Sequence, residues 1–168
     1  MEDVTAEPSS DDAEYFVYFV INTDNDLNFN RRIVNPPTVV GTLAGINIVC
    51  IFDSGSSANL LNRNLWLRLK SKFPGAKLKP VNDIVLSGFV SGMTCNIKGE
   101  QTLTIDIEGY VFTSVFLVVD NLKSDMLLGM PFISEHRGVL DTVENVIKIT
   151  DDDHNSLIIN LTEPEKVM

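Results

Sequence analysis

From Thr38 onward, apolar and polar residues alternate in short runs, the period of strands with one face buried. Thr38-Val39-Val40-Gly41-Thr42-Leu43 reads as a strand, Ala44-Gly45 as a turn, and Ile46-Asn47-Ile48-Val49-Cys50-Ile51-Phe52 as the returning arm of a hairpin. Asn62 to Phe73 changes period. Leu65, Leu69 and Phe73 recur every fourth residue among Arg68, Lys70 and Lys72, which predicts a short amphipathic helix stopped by Pro74-Gly75. Two β-prone arms then flank Gly88 and Gly92 between Ile84 and Ile97, the pattern of a hairpin. Gln101 to Glu108 alternates cleanly, Gly109 turns the chain, and Tyr110 to Val119 is a further strand.

Met126-Leu127-Leu128-Gly129 reads as a short buried strand. Pro131 suits the first turn of a helix and Gly138 the position past its end, so residues 131–137 predict two helical turns. Val139-Leu140-Asp141 and Asn145 to Ile149 are expected to pair around Thr142-Val143-Glu144. Many short strands with two small helices imply an all-β domain, a partly closed barrel.

The ends differ in character. Residues 1–30 carry eight acids and no Lys or Arg, although the whole chain has a formal net charge of −10. Residues 1–35 therefore read as an acidic, partly disordered extension, with disorder expected over Met1 to Glu14 and a possible strand at 15–21. Residues 36–150 form the expected domain and 151–168 an acidic C-terminal tail. Asp151-Asp152-Asp153-His154 reads as a solvated acidic turn rather than a metal site, and His136 has no evident Ser or Cys partner. No basic footprint points to nucleic acid, no apolar run is long enough to span a bilayer, and no pattern calls for a metal or cofactor. Cys50 and Cys95 lie in strand patterns and are expected as buried free thiols; the Asn160-Leu161-Thr162 sequon is read as chance. Together these features predict a cytoplasmic protein.

One stretch breaks the pattern in an informative way. The apolar run from Ile46 delivers the chain to Asp53, followed by Ser54-Gly55-Ser56-Ser57 and a second apolar run at Leu60-Leu61. A carboxylate at the end of a hydrophobic strand is expensive to desolvate, and the hydroxyls and the glycine amide beside it are suited to hold it. Asp-Ser-Gly alone is a common turn. Followed by Asp125-Met126-Leu127-Leu128-Gly129 and a helical signal, it resembles the retropepsin family, the aspartic proteases of retroviruses and long-terminal-repeat retrotransposons, over roughly Val39 to Ile149.

That resemblance implies a retropepsin-like acid-protease barrel with a flap hairpin, active as a two-fold homodimer on a polypeptide substrate, its own polyprotein. Asp53 would be the catalytic acid, Ser54 would bond the opposite loop, and Gly55 would bring its amide to the carboxylate. Ser56 would bond an outer oxygen of Asp53. Ser87, Gly88, Phe89, Val90, Ser91 and Gly92 would form the flap over substrate, and Leu127, Leu128 and Gly129 would support the acid loop. Catalysis by carboxylates needs two acids. Asp141-Thr142-Val143 lacks the glycine, so the second acid would be Asp53 of another copy. Met130 stands where retroviral members carry an Arg that braces the dimer, as in retrotransposon-type sequences. The alternatives are a domesticated retropepsin-like module that dimerises or captures peptides with little cleavage, and a structural β-domain whose Asp-Ser-Gly is only a turn.

Overall fold

The structure, a computed structural model, describes residues 13–17, 36–88 and 94–161. The predicted alternation appears as a six-stranded closed barrel. Its strands are β2 (Thr38–Leu43), β3 (Ile46–Phe52), β4 (Leu60–Asn62), β7 (Ile97–Ile107), β8 (Tyr110–Val119) and β9 (Met126–Leu128), in the order β2-β3-β9-β4-β8-β7. Two tight hairpins set the register. Ala44 and Gly45 both take positive φ (50° and 79°), as do Glu108 and Gly109 (54° and 86°). That pair of angles defines the two-residue turn whose twist matches the flanking strands. The barrel closes where Thr42 of β2 meets Asp106 of β7.

Strand β9 is the non-local part. It runs parallel to β3, with Leu128 opposite Phe52, and antiparallel to β4, with Leu127 opposite Leu60. The strand before the Asp-Ser-Gly loop and the strand after it are thereby joined through a third segment from far along the chain.

Helix α1 (Arg63–Leu69) is capped by Asn62, whose side chain accepts from the Asn64 amide at 2.8 Å, and it tightens into a 3-10 turn at Lys70–Lys72. It is shorter than the expected Asn62–Phe73 span because Phe73 leaves helical geometry before Pro74. Helix α2 (Met130–Glu135) carries Pro131 in its first turn. The expected pairing of 139–141 with 145–149 appears as β10 (Val139–Asp141) against β11 (Val146–Thr150).

Beyond residue 150 the structure corrects the expectation of a tail. Ser156–Asn160 is a strand, β12, paired antiparallel along all of β11. Ile159 is fully buried in the barrel core. Asp151 is buried and turned inward: its carboxylate accepts from the Asp153 amide and from the Asn155 amide and side chain, at 3.1, 2.7 and 3.1 Å. The acids that suggest a solvated run are partly the caps of a tight turn. Asp152 likewise accepts from the Thr113 amide and hydroxyl on β8.

Outside the barrel, β5 (Ile84–Gly88) pairs with β6 (Thr94–Cys95) as two arms of a hairpin. Strand β1 (Ala13–Val17) lies parallel along the other edge of β5, with Ala13 opposite Ile84 and Val17 opposite Gly88. Of the segment expected to be disordered, Ala13 and Glu14 therefore belong to a strand; Met1–Asp12 and the Tyr18–Ile21 part of the expected strand lie outside the described residues.

The core divides into two clusters. The larger fills the barrel, with Phe112, Phe116 and Phe132 fully buried beside Leu61, Val118 and Leu128. The smaller holds Leu60, Leu117 and Leu127 with Ala58, Val119 and Leu122, and Leu86 of β5 packs into it. Three adjacent strands thus send successive residues to opposite faces, the period of two at work. The smaller cluster ties the hairpin arm to the segment beside Asp53. Cys50 is a buried free thiol whose pKa burial pushes up to about 12. No helix among the described residues is long and apolar enough to cross a membrane.

Candidate active site

Asp53 sits where β3 ends, and backbone bonds fix it from both sides. Its amide donates to the Leu128 carbonyl at 2.9 Å, and its carbonyl accepts from the Ser56 amide at 3.1 Å. The side chain is only 8% exposed. Oδ1 accepts from the Gly55 amide at 2.9 Å. Oδ2 is buried with no hydrogen-bond partner, the one such side-chain oxygen or nitrogen among the described residues. Burial raises the carboxyl pKa above its ordinary value, and the Gly55 bond opposes this only in part. The site therefore holds a carboxyl with one oxygen bonded and the other buried without a partner.

The loop's other residues divide into two sets. Ser54 is exposed and Gly55 half-buried, so both lie on the outward side. Ser56 is fully buried and points inward: its hydroxyl donates to the Ala58 carbonyl at 2.7 Å. This corrects the expectation that Ser56 bonds an outer oxygen of Asp53. The local turn offers the hydroxyl a carbonyl two residues on, and Ser56 staples the loop instead.

Leu127, Leu128 and Gly129 pass beside this loop. Leu128 lies in the barrel core and Leu127 in the smaller cluster. Gly129 is required by close approach. A Cβ there would collide with the Ala58 carbonyl oxygen and come within 2.8 Å of the Ala58 carbonyl carbon and 2.9 Å of the Ser56 carbonyl oxygen. All of these are backbone atoms. The Met130 amide donates to the Ser56 carbonyl at 2.8 Å, a further cross-link from α2 to the loop.

The residue that sequence reasoning misses is Asn59. It is 2% exposed, and its side chain satisfies four groups. Oδ1 accepts from the Gly129 and Phe132 amides at 3.0 and 3.1 Å; Nδ2 donates to the Ser114 hydroxyl and the Val115 carbonyl at 3.0 and 3.1 Å. Helix α2 has no cap from its own N-cap residue, and Asn59 supplies one from across the barrel. Ser114 in turn donates to Glu135 at 2.6 Å. The available signal was a lone amide inside the otherwise apolar run Ala58-Asn59-Leu60-Leu61.

Of the expected flap residues, Ser87 and Gly88 end β5. Phe89, Val90, Ser91 and Gly92 lie outside the described residues. The second Asp-Thr candidate, Asp141, is not part of this site: its carboxylate accepts from the Val143 and Glu144 amides in its own turn. His136 is buried against Phe112 and Phe132, with its ring nitrogens facing the carbonyls of Thr150 and Thr113. Among the described residues no group of three His, Cys, Asp or Glu is placed to hold a metal ion.

The sequence matches the model of a family described as retroviral aspartyl protease over residues 19–155. Among solved structures the chain is similar to the retroviral protease-like domain of Ddi1 from Leishmania major. The TM-score is 0.57 at 17% identity, covering 79% of this chain and 97% of that one. It also matches EIAV protease in complex with the inhibitor HBY-793 (TM-score 0.47, 17% identity, 63% and 92% of the two chains). A retropepsin-like aspartic protease from Rickettsia conorii matches at TM-score 0.40 and 18% identity, over 62% and 74% of the two chains. No curated protein matches the chain.

Proposed function

This chain belongs to the retroviral aspartyl protease family, and on that premise we propose that it is an aspartic endopeptidase whose active site is completed by a second copy of itself. The observation that carries the reading is Asp53: a buried carboxyl with a raised pKa, Oδ1 held by Gly55 and Oδ2 unpartnered. One such group is half of what the chemistry requires. Two carboxyls about 3 Å apart cannot both ionise, so they share a proton. The ionised one takes a proton from water as it attacks the scissile carbonyl, and the protonated one donates to the carbonyl oxygen. In this reading Ser54, exposed beside Asp53, bonds the facing loop, and the β5–β6 hairpin covers an extended peptide.

The dimer surface in this reading includes the outer edge of β12. Strand β11 is flanked by β10 and β12 and so offers no edge to a partner. Ile158 on β12 is 61% exposed. The substrate in this reading is the polyprotein of a retroelement, and Met130, 41% exposed after Gly129, follows the retrotransposon-type sequence pattern. A second reading, capture of peptides without efficient cleavage, is favoured by one observation: the edge of β5 already accepts β1 as an added strand.

Cleavage of a precursor peptide across a dilution series, with sedimentation on the same samples, tests both. The expected result is a rate per chain that falls as dimer dissociates, and no cleavage by Asp53→Asn. Undiminished activity in Asp53→Asn would end the aspartic mechanism. An undiminished rate per chain in a sedimenting monomer would end the shared site. Binding of the peptide with no turnover at any concentration would leave the second reading.

A further inference from the structure

A groove of about 300 Å³ lies between α1, the 3-10 turn behind it and residues 76–78, with Lys98 of β7 on its rim. Its lining is amphipathic. Trp66, Leu67, Ala76 and Leu78 supply apolar surface, while Arg63, Lys70, Lys77 and Lys98 supply cations. Arg63 and Lys98 converge on one carboxylate, Asp120, at 3.5 and 3.2 Å. Lys70 and Lys77 are exposed. In a chain with a formal net charge of −10, this is a local surplus of positive charge beside apolar surface. It suits an acidic, extended polypeptide.

The path of the backbone indicates which one. Strand β1 enters parallel to β5, with Ala13 beside Ile84. The arm that holds β5 extends back toward the groove: Ser87 pairs with Thr94, Leu86 with Cys95, and Lys79 bridges to Glu100. Because the strands are parallel, a chain continued upstream from Ala13 along the line of β1 would run toward Lys79 and then Leu78 and Lys77. Lys77 precedes Ile84 by seven residues (84 − 77), a run of about 24 Å if extended, and twelve upstream residues reach about 40 Å. Those twelve include Glu2, Asp3, Glu7, Asp11 and Asp12 and no Lys or Arg. Two carboxylates lie along the path, Asp83 and Glu100, and Glu100 is already paired with Lys79 at 3.4 Å.

We propose that this groove is an intramolecular docking surface for the chain's own acidic N-terminal segment, residues 1–12, which β1 delivers to it. The ion pairs are exposed and individually weak, so the docked state depends on several together and loosens with salt. The occupancy is independent of whether the chain cleaves peptides.

Zero-length carbodiimide cross-linking of the full chain, read by mass spectrometry, tests it. The chain is mixed in equal parts as light and nitrogen-15 forms. At low salt, Glu2, Asp3 or Glu7 should join Lys70, Lys77 or Lys98 within one isotopic form. In about 0.5 M NaCl, where charges are screened beyond about 4 Å, these products should fall several-fold. The double variant Lys70→Glu, Lys77→Glu should reduce joining to Lys98 as well, with an unchanged circular dichroism spectrum. Cross-links from residues 1–12 spread evenly over other lysines such as Lys123 and Lys148 would overturn the proposal. Cross-links to the groove of which about half are of mixed isotope, the share that random pairing of two copies gives, would also overturn it, because the occupant would then be a second copy.

Discussion

Replacing Asn59 with Ala should cost more stability than any other single polar substitution near the acid loop. The side chain lies 2% exposed and joins three elements: the segment before β4, strand β8 and the first turn of α2. Not all four of its bonds count equally. The Ser114 hydroxyl keeps Glu135 after the substitution, and carbonyls such as that of Val115 tolerate under-pairing better than amides do. The Gly129 and Phe132 amides lose their one acceptor in a buried site. Each orphaned buried donor costs about 1–3 kcal/mol, so the two together set a loss of about 2–6 kcal/mol, centred on about 4. Small domains are stable by about 5–15 kcal/mol, so this is a large fraction of the whole.

Urea unfolding is the assay. With a slope of about 2 kcal/mol per M, the midpoint should fall by about 2 M at unchanged slope. Asn62 provides the internal comparison. It also uses both ends of an amide, accepting from Asn64 and donating to the Leu122 carbonyl, but it is only half-buried and caps an exposed helix start. Asn62→Ala should therefore cost about 1 kcal/mol, the usual loss of a cap. If Asn59→Ala costs no more than Asn62→Ala, the buried amide is not what binds α2 to the acid loop.

Three further outcomes follow from the same geometry. Gly129→Ala should destabilise by about 1–3 kcal/mol or more, because the new methyl meets backbone atoms of Ala58 and Ser56 that cannot rotate away; a wild-type urea midpoint would refute the close approach. Asp53 has a folded pKa above its ordinary 3.8, so the monomer carries a penalty that is full above the folded pKa and vanishes below 3.8. Asp53→Asn should therefore raise the melting temperature near pH 7 and lose that advantage in acid; equal gains at both pH values would contradict it. Asp151 has the opposite sign. Burial raises its pKa, but bonds from the Asn155 side chain and amide and the Asp153 amide outweigh this and hold it below 3.8. Its contribution is present above 3.8 and is lost as pH falls through the folded value, so the deficit of Asp151→Ala should shrink in acid.

The parts of the fold that were legible are those whose cause is local. Alternation over Gln101 to Glu108 gives β7, the Ala44-Gly45 and Gly109 positions give the two tight hairpins, and Pro131 with Gly138 brackets α2. The misreadings concern polar side chains whose partners periodicity does not show. The run Asp151-Asp152-Asp153 outweighed Leu157-Ile158-Ile159, although Asn155, only four residues on, turns the Asp151 carboxylate into the anchor of a tight turn. Within the site, Asp53 stood out because a carboxylate interrupts an apolar strand. Asn59 did not, because its partners lie 55 to 73 residues away. Ser56 was assigned to Asp53 by proximity in sequence, whereas the turn faces its hydroxyl to Ala58.

This arrangement also explains how the chain can hold a costly buried carboxyl without collapsing around it. A buried carboxyl with an open oxygen would ordinarily draw a neighbouring donor to itself. Here several of the nearest donors are already committed. The Asp53 amide is taken by Leu128, the Ser56 amide by Asp53's own carbonyl, the Ser56 hydroxyl by Ala58 and the Met130 amide by Ser56. The Gly129 amide is taken by Asn59. Leu127 and Leu128 anchor β9 in two separate cores, so the loop cannot shift to offer another group without unpacking one of them. The open valence of Oδ2 is thus a consequence of bonds made elsewhere. It persists until something outside the described residues meets it, and in the proposed dimer that is the facing carboxyl and the water they share.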